Sequence, residues 1–237
     1  MSETGGKTQT AVDGRSTRWQ DHKRQRRAEV LDAALAVIAD SGAEISVQQI
    51  ADHLGLPRPV VYRHFDGRAD LDEQIRHRIQ ESLLAEVMPT LRTDGSVRDA
   101  VRGAVGTYVG WVERHRNLHR FLTGDAADGD GSHGLGGARD RIGGRLADLF
   151  AAALSVYDID PHRARPMAFG VIGLVDGVVN SWRSAPATLT SEQVVGMLTE
   201  SILALFEGNA RSLGVPLGRD TPVADLLTPP AAVPHPA

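Results

Sequence analysis

The chain has 237 residues, 41% hydrophobic and 24% charged, with a formal net charge of -4. That is the balance of an ordinary soluble globular protein with enough apolar material for one or two domains, and the absence of cysteine excludes disulfides, thiolate metal sites and a cysteine nucleophile. The longest apolar stretch, Met167 to Val175, is cut by Asp176 and is too short to span a bilayer, and the first thirty residues lack the apolar middle of a secretion signal, so the expected compartment is the cytoplasm, with no membrane partner.

Residues 1–20 are polar, rich in Gly, Thr and Ser, and read as a flexible arm. The acidic average hides a basic run: Arg15, Arg18, Lys23, Arg24, Arg26 and Arg27 face only Asp21. Phosphate binding needs a local patch rather than a basic whole; a solvated arm would use the same residues, and the run alone does not choose between the two. From Lys23 a helix begins, with Val30, Leu31, Ala34, Leu35 and Ile38 on one stripe. Ser41-Gly42 stops it, since glycine accepts the left-handed conformation that ends helices. A second helix starts at Ser46, whose hydroxyl and the amide of Gln49 form a capping box. It carries Val47, Ile50, Ala51 and Leu54 inward and ends at Gly55. A third, short helix is opened by Pro57 and Pro59, which are tolerated where backbone N–H groups lack intrahelical acceptors, and runs to His64. Asp66-Gly67 then turns the chain into a fourth helix, Arg68 to Met88, stopped by Pro89.

Ser96 and Asp99 signal a fifth helix that reaches Arg116, and 117–122 add one or two turns. Residues 124–137 are Gly- and Asp-rich and read as a loop; helices are predicted at 138–157, 161–184 and 190–212. No stretch sustains period-two alternation, so the fold class is all-α. From 214 to 237 the density of proline predicts a disordered tail. The expected organisation is an arm (1–20), a helix-turn-helix head (21–68), a larger helical domain (69–213) and the tail (214–237).

Two short helices joined by a tight turn containing glycine, the second bearing cations, form the geometry that places a helix in the DNA major groove. Here the turn is Leu54-Gly55-Leu56-Pro57. Ala51 is small enough for the helices to cross closely, and Leu54, Leu56 and Val61 pin the second one down, which leaves Arg58, Val60, Arg63 and His64 to project outward. Phe65 closes the unit as a packing residue.

The run Ile50-Ala51-Asp52-His53-Leu54-Gly55-Leu56-Pro57-Arg58-Pro59-Val60-Val61-Tyr62-Arg63-His64-Phe65 resembles the signature of the tetracycline-repressor (TetR) family, with Ala33-Ala34, Gly42 and Arg68-Ala69-Asp70-Leu71 extending the likeness over residues 24–75. The resemblance implies that Tyr62 and His64 contact phosphates, that Ser46 and the free N–H groups beside it hold another, and that Arg58 reaches a base edge. Arg68 stands where the family usually has lysine and would be a further phosphate contact; Gln48, Pro59, Val60 and Arg63 complete the candidate set. Pro57 replaces the usual Ser or Thr, losing one hydroxyl.

About 140 residues of helix follow, far more than DNA binding requires. Val171, Ile172, Leu174, Val175, Val178 and Val179, then Val194, Val195, Leu198, Ile202, Leu205 and Phe206, exceed the single apolar stripe of a surface helix. Pairing the last two long helices of two chains in a four-helix bundle would bury the surplus, with Gly170, Gly173 and Gly177 permitting close approach. A dimer also fits the head, since two recognition helices about 34–36 Å apart read a palindrome. A ligand cavity is the next expectation: Tyr108, Trp111 and His115 share a face of the fifth helix, Asp176, Asn180 and Arg183 share one of the eighth, and Phe121, Met167 and Trp182 are further candidates. The same aromatics would serve as plain core, and the sequence leaves both readings open. His115 and His119 are two imidazoles without a third ligand, so neither metal nor cofactor is expected. No G-x-S-x-G elbow, G-x-x-x-x-G-K-[ST] loop or H-E-x-x-H helix occurs, and an enzyme is not expected.

The expected function is that of a sequence-specific DNA-binding regulator, a homodimeric repressor released from a palindromic double-stranded operator by a small-molecule effector. A constitutive or architectural DNA-binding protein without an inducer is the alternative; an interior pocket separates the two.

Overall fold

A computed structural model describes residues 10–124, 133–184 and 189–228, with side chains from residue 20 onward. Ten α-helices are assigned among them: α1 (Thr10–Ser41), α2 (Val47–Leu54), α3 (Arg58–Tyr62), α4 (Gly67–Val87), α5 (Val97–Arg114), α6 (Arg116–Gly124), α7 (His133–Val156), α8 (Ala164–Ser184), α9 (Ser191–Leu213) and α10 (Val223–Leu226). The described residues contain no strand, and an isolated bridge pairs Ser96 with Pro222. The chain divides into two compact units, Met1–Ile79 with Asn117–Gly131, and Gln80–Arg116 with Ser132–Ala237.

In the first unit the apolar stripes of α1 (Val30, Ala34, Ile38), α2 (Val47, Ile50, Ala51) and the start of α4 (Leu71, Ile75, Ile79) are all buried, together with Val61 and Phe65. The division falls within α4 rather than at Arg68 because three turns of that helix carry head-facing side chains. Two capping devices set the boundaries of α2. Ser46 Oγ accepts from the Gln49 N–H at 3.2 Å while Gln49 Oε1 accepts from the Ser46 N–H at 2.7 Å, which satisfies orphan donors of the first turn. Gly55 lies at φ +64 and its N–H, with that of Leu56, closes the last turn on Asp52 and Ala51 carbonyls. Arg27 fastens α1 to α4 through Asp70 at 3.4 Å and lies over the Phe65 ring, 5.0 Å from its centroid.

In the second unit α5 packs on α9 and α7 on α8. Gly143 of α7 lets the Phe169 ring of α8 approach to where a Cβ would meet it at 2.9 Å. Trp111, Val112, Leu198, Ile202 and Leu203 are fully enclosed.

Three boundaries differ from expectation. Helix α1 begins at Thr10, inside the stretch expected to be a flexible arm; no proline interrupts residues 10–22, and Gly14 is the one glycine among them. Residues 1–9 and the side chains of Arg15 and Arg18 lie outside the described residues. Helix α7 starts at His133, so part of the 124–137 loop is helical, while 125–132 lie outside the described residues. The tail is the third correction, because residues 214–228 are ordered and packed. The Val97 N–H donates to Thr221 O at 3.0 Å and the Arg98 N–H to Arg219 O at 2.9 Å, so the returning chain supplies acceptors that the first turn of α5 lacks. Val215, Leu217, Val223 and Leu226 pack against Val97 and Leu203. Pro216 and Pro222 suit this extended return, since neither position owes an N–H to a ladder. Residues 229–237 lie outside the described residues.

Candidate nucleic-acid interface and ligand cavity

The head presents α3 with Val61 buried beneath it and Arg58, Pro59 and Arg63 exposed above. Val60, Tyr62 and His64 are half-buried. Arg58 lies over the Tyr62 ring, 5.5 Å from the centroid, and reaches its hydroxyl at 3.5 Å, so cation and phenol are held as one unit. Ser46 and Gln48 are exposed at the start of α2, where Gln48 donates to Asp52 at 2.7 Å. Arg63 makes no ion pair among the described residues and stands free for an outside anion. Arg68, by contrast, is held by Asp72 at 2.7 Å, so a phosphate there would have to share the guanidinium.

His64 is set apart by its surroundings. Its Nδ1 is buried without a hydrogen-bond partner, and burial first, then the cations Lys23, Arg26, Arg63 and Arg27, push its pKa below the ordinary 6.5. The cluster that disfavours a proton on His64 is the same one that would attract a phosphate.

The second unit forms a partly open cavity of about 250 Å³ lined by α4, α5, α7, α8, α9 and the returning segment. On α5 the wall is Val97, Val101, Ala104, Val105 and Tyr108; on α8 it is Met167, Val171, Ile172, Val175 and Asp176. Three of its polar groups form one cluster: Arg139 Nε donates to Asp176 Oδ2 at 2.5 Å and the Tyr108 hydroxyl to Asp176 Oδ1 at 3.2 Å; Thr90 and Arg92 line the wall elsewhere. Burial raises the Asp176 pKa and Arg139 opposes it. The Tyr108 hydroxyl is pushed up by burial first and then by the adjacent carboxylate, so it stays a donor.

Of the residues expected to form a ligand site, Tyr108, Met167 and Asp176 line the cavity. The others do not. Trp111 is completely buried one turn beyond Tyr108, and its ring lies 5.2 Å from that of His115. Trp182 donates from Nε1 to Leu189 O at 2.9 Å, tying the end of α8 to the approach of α9, and Asn180 lies past the lined stretch of α8. Phe121 belongs to the other unit. The shared faces predict a site that continues down each helix, but the lined stretches of α5 and α8 end at Tyr108 and Asp176. Arg139 carries no sequence signal for this role, because its partner Asp176 lies 37 residues away on another helix.

Among the described residues no helix is long and apolar enough to cross a membrane. Residues 30–75 match the family model described as bacterial regulatory proteins, tetR family. The chain is 26% identical over 189 residues to an uncharacterized HTH-type transcriptional regulator of Mycobacterium tuberculosis, covering 79% of this chain and 80% of the relative. It is 29% identical over 131 residues to the nucleoid occlusion factor SlmA of Idiomarina loihiensis, covering 55% of this chain and 63% of that protein. A crystal structure of a tetR-family transcriptional regulator from Streptomyces coelicolor superposes with a TM-score of 0.63 at 19% identity, covering 86% of this chain and 92% of that one, a likeness of fold.

Proposed function

We propose that this chain, a helix-turn-helix transcriptional regulator of the tetR family, binds a palindromic operator as a homodimer and is released from it by a small molecule held in the cavity of the second unit. The single observation that carries the sensing half is that cavity: about 250 Å³ of largely apolar wall with a buried polar cluster of Tyr108, Arg139 and Asp176, the form of a small-molecule site. A constitutive or architectural DNA-binding protein has no use for such a void, which costs packing.

The dimer reading is supported by the outer faces of α8 and α9. Gly170, Gly173 and Gly177 are exposed on α8, and Met197 and Leu205 of α9 are 44% and 42% exposed. Apolar and small residues left in water on two long helices suit burial against a second copy. Helix α4 runs unbroken from Gly67, beside the recognition helix in the chain, to Leu83 and Val87 in the cavity wall. A ligand that prefers the conformer with misplaced heads lowers operator affinity by the same factor by which operator lowers ligand affinity. Whether such a protein represses or activates depends on where its operator lies.

Selection of bound duplexes from a random pool tests the DNA half. The expected product is a palindrome with half-sites one helical turn apart; recovery without symmetry counts against it. On the selected site Tyr62→Ala weakens every sequence alike, whereas Arg58→Ala also relaxes one base position, at about 1–3 kcal/mol of lost discrimination. If both variants lose affinity uniformly, Arg58 is a phosphate contact.

His64 gives the binding a pH dependence of known sign. In the free head its pKa is lowered; a neighbouring phosphate favours the charged imidazole, so the complex takes up a proton. Affinity therefore rises as pH falls from about 7.5 towards 5.5, and His64→Gln flattens that rise. Equal slopes for the two proteins would remove His64 from the phosphate set.

A further inference from the structure

We infer that the cavity selects an uncharged, unbranched chain bearing one carbonyl group and rejects the carboxylate of the same chain, an inference that rests on the cavity being the effector site. Its shape argues for a chain. The wall on α5 extends from Val97 to Tyr108, roughly 16 Å at 1.5 Å per residue. That apolar run is long enough to take an extended alkyl chain lengthwise, with its carbonyl at the Tyr108 end.

Its charge argues for neutrality. The polar lining side chains are Thr90, Arg92, Tyr108, Arg139 and Asp176. Thr90 is committed to Val87 O at 2.7 Å, and Arg92 pairs with Asp94 at 2.9 Å in water, with both side chains about two-thirds exposed and outside the buried pole. At that pole Asp176 already neutralises Arg139, and both carboxylate oxygens are occupied, one by Arg139 and one by Tyr108. The pole therefore carries no net charge. It does retain donors, because the terminal Nη groups of Arg139 make no hydrogen bond among the described residues. A carbonyl oxygen accepts from them at small desolvation cost. A carboxylate would give up its hydration for a site whose cation is already matched, and would set a second anion beside Asp176 in an environment that disfavours the first.

Calorimetric titration of the full chain with 2-undecanone and with undecanoate at mildly alkaline pH tests this. The ketone is expected to bind at least about tenfold more tightly than the carboxylate, and each added methylene in the ketone series to tighten binding about three- to fourfold while the cavity has room. Asp176→Asn, close to isosteric, frees the guanidinium and reverses the order in favour of undecanoate, since an unpaired Arg139 then meets its carboxylate. A wild-type preference for undecanoate overturns the charge argument and leaves the cavity as effector site. Failure of Asp176→Asn to reverse the order removes the Arg139–Asp176 pair as the selector. Heat from neither probe at any chain length overturns the cavity reading itself, and this inference with it.

Discussion

A chain ending at Gly214 unfolds at a temperature lower by about 8–16 °C than the full-length protein, as followed by circular dichroism. The estimate starts from Leu226, which is buried at 7% exposure, and from Val215, Leu217 and Val223, which pack beside it on Val97 and Leu203. Returning these side chains to water costs about 4 kcal/mol, taking 1.5–3 kcal/mol for the full burial and less for each partial one. The truncation also strips the acceptors Thr221 O and Arg219 O from the Val97 and Arg98 N–H groups; those donors then face water at the start of α5, which keeps that part of the loss small. Arg219 bridges Glu200 and Glu207 of α9, but these pairs are largely solvated and contribute little. The second consequence is functional. Leu217, Val223, Leu226 and Leu227 are part of the cavity wall, so the truncated chain holds an open trough and loses affinity for any apolar ligand. An unchanged melting temperature would show that the segment rests on the fold without supporting it.

Trp111 gives the largest effect expected of a single substitution. The side chain is fully enclosed, so Trp111→Ala leaves a void that neighbours fill only in part, at about 3–5 kcal/mol. Trp111→Phe behaves differently. The indole Nε1 is buried with no hydrogen-bond partner, and such a group carries a penalty of about 1–3 kcal/mol that phenylalanine does not incur. That relief offsets much of the lost ring volume, and the variant should lie within about 1.5 kcal/mol of the parent in urea unfolding. Equal destabilisation by the two substitutions would mean that the indole shape, and not its apolar bulk, holds the junction of α5.

The head was legible from its residues because its instructions are local. Ser46 and Gln49 make their capping box three residues apart, and Gly55 turns the chain through its own backbone. Val61 is buried and Arg63 exposed because a helix this short has only one inward direction. Even here His64 escaped a local reading. Its lowered pKa comes from burial first and then from α1 cations such as Lys23 and Arg26, some forty residues away in the chain.

The second unit divides differently. Its helices, their starts at Ser96 and Thr190 and the apolar excess of α8 and α9 follow from periodicity and caps. Periodicity names the apolar face of a helix but not what stands opposite, and a core stripe has the same composition as a cavity wall. So Tyr108 and Trp111, one turn apart on α5, looked equivalent until packing sent one to the cavity and sealed the other inside. The prolines near the C-terminus carried a true message about missing N–H donors and a false one about disorder, because the partner that holds Leu226 is Val97, far back in the chain. The sequence by itself determined the all-helical class, the helix-turn-helix and its outward cations, since caps, the Gly55 turn and helix periodicity are signals carried by near neighbours along the chain. The cavity, the Arg139–Asp176–Tyr108 cluster and the returning segment were decided by tertiary structure, because each joins groups whose separation in sequence carries no signal until the helices pack.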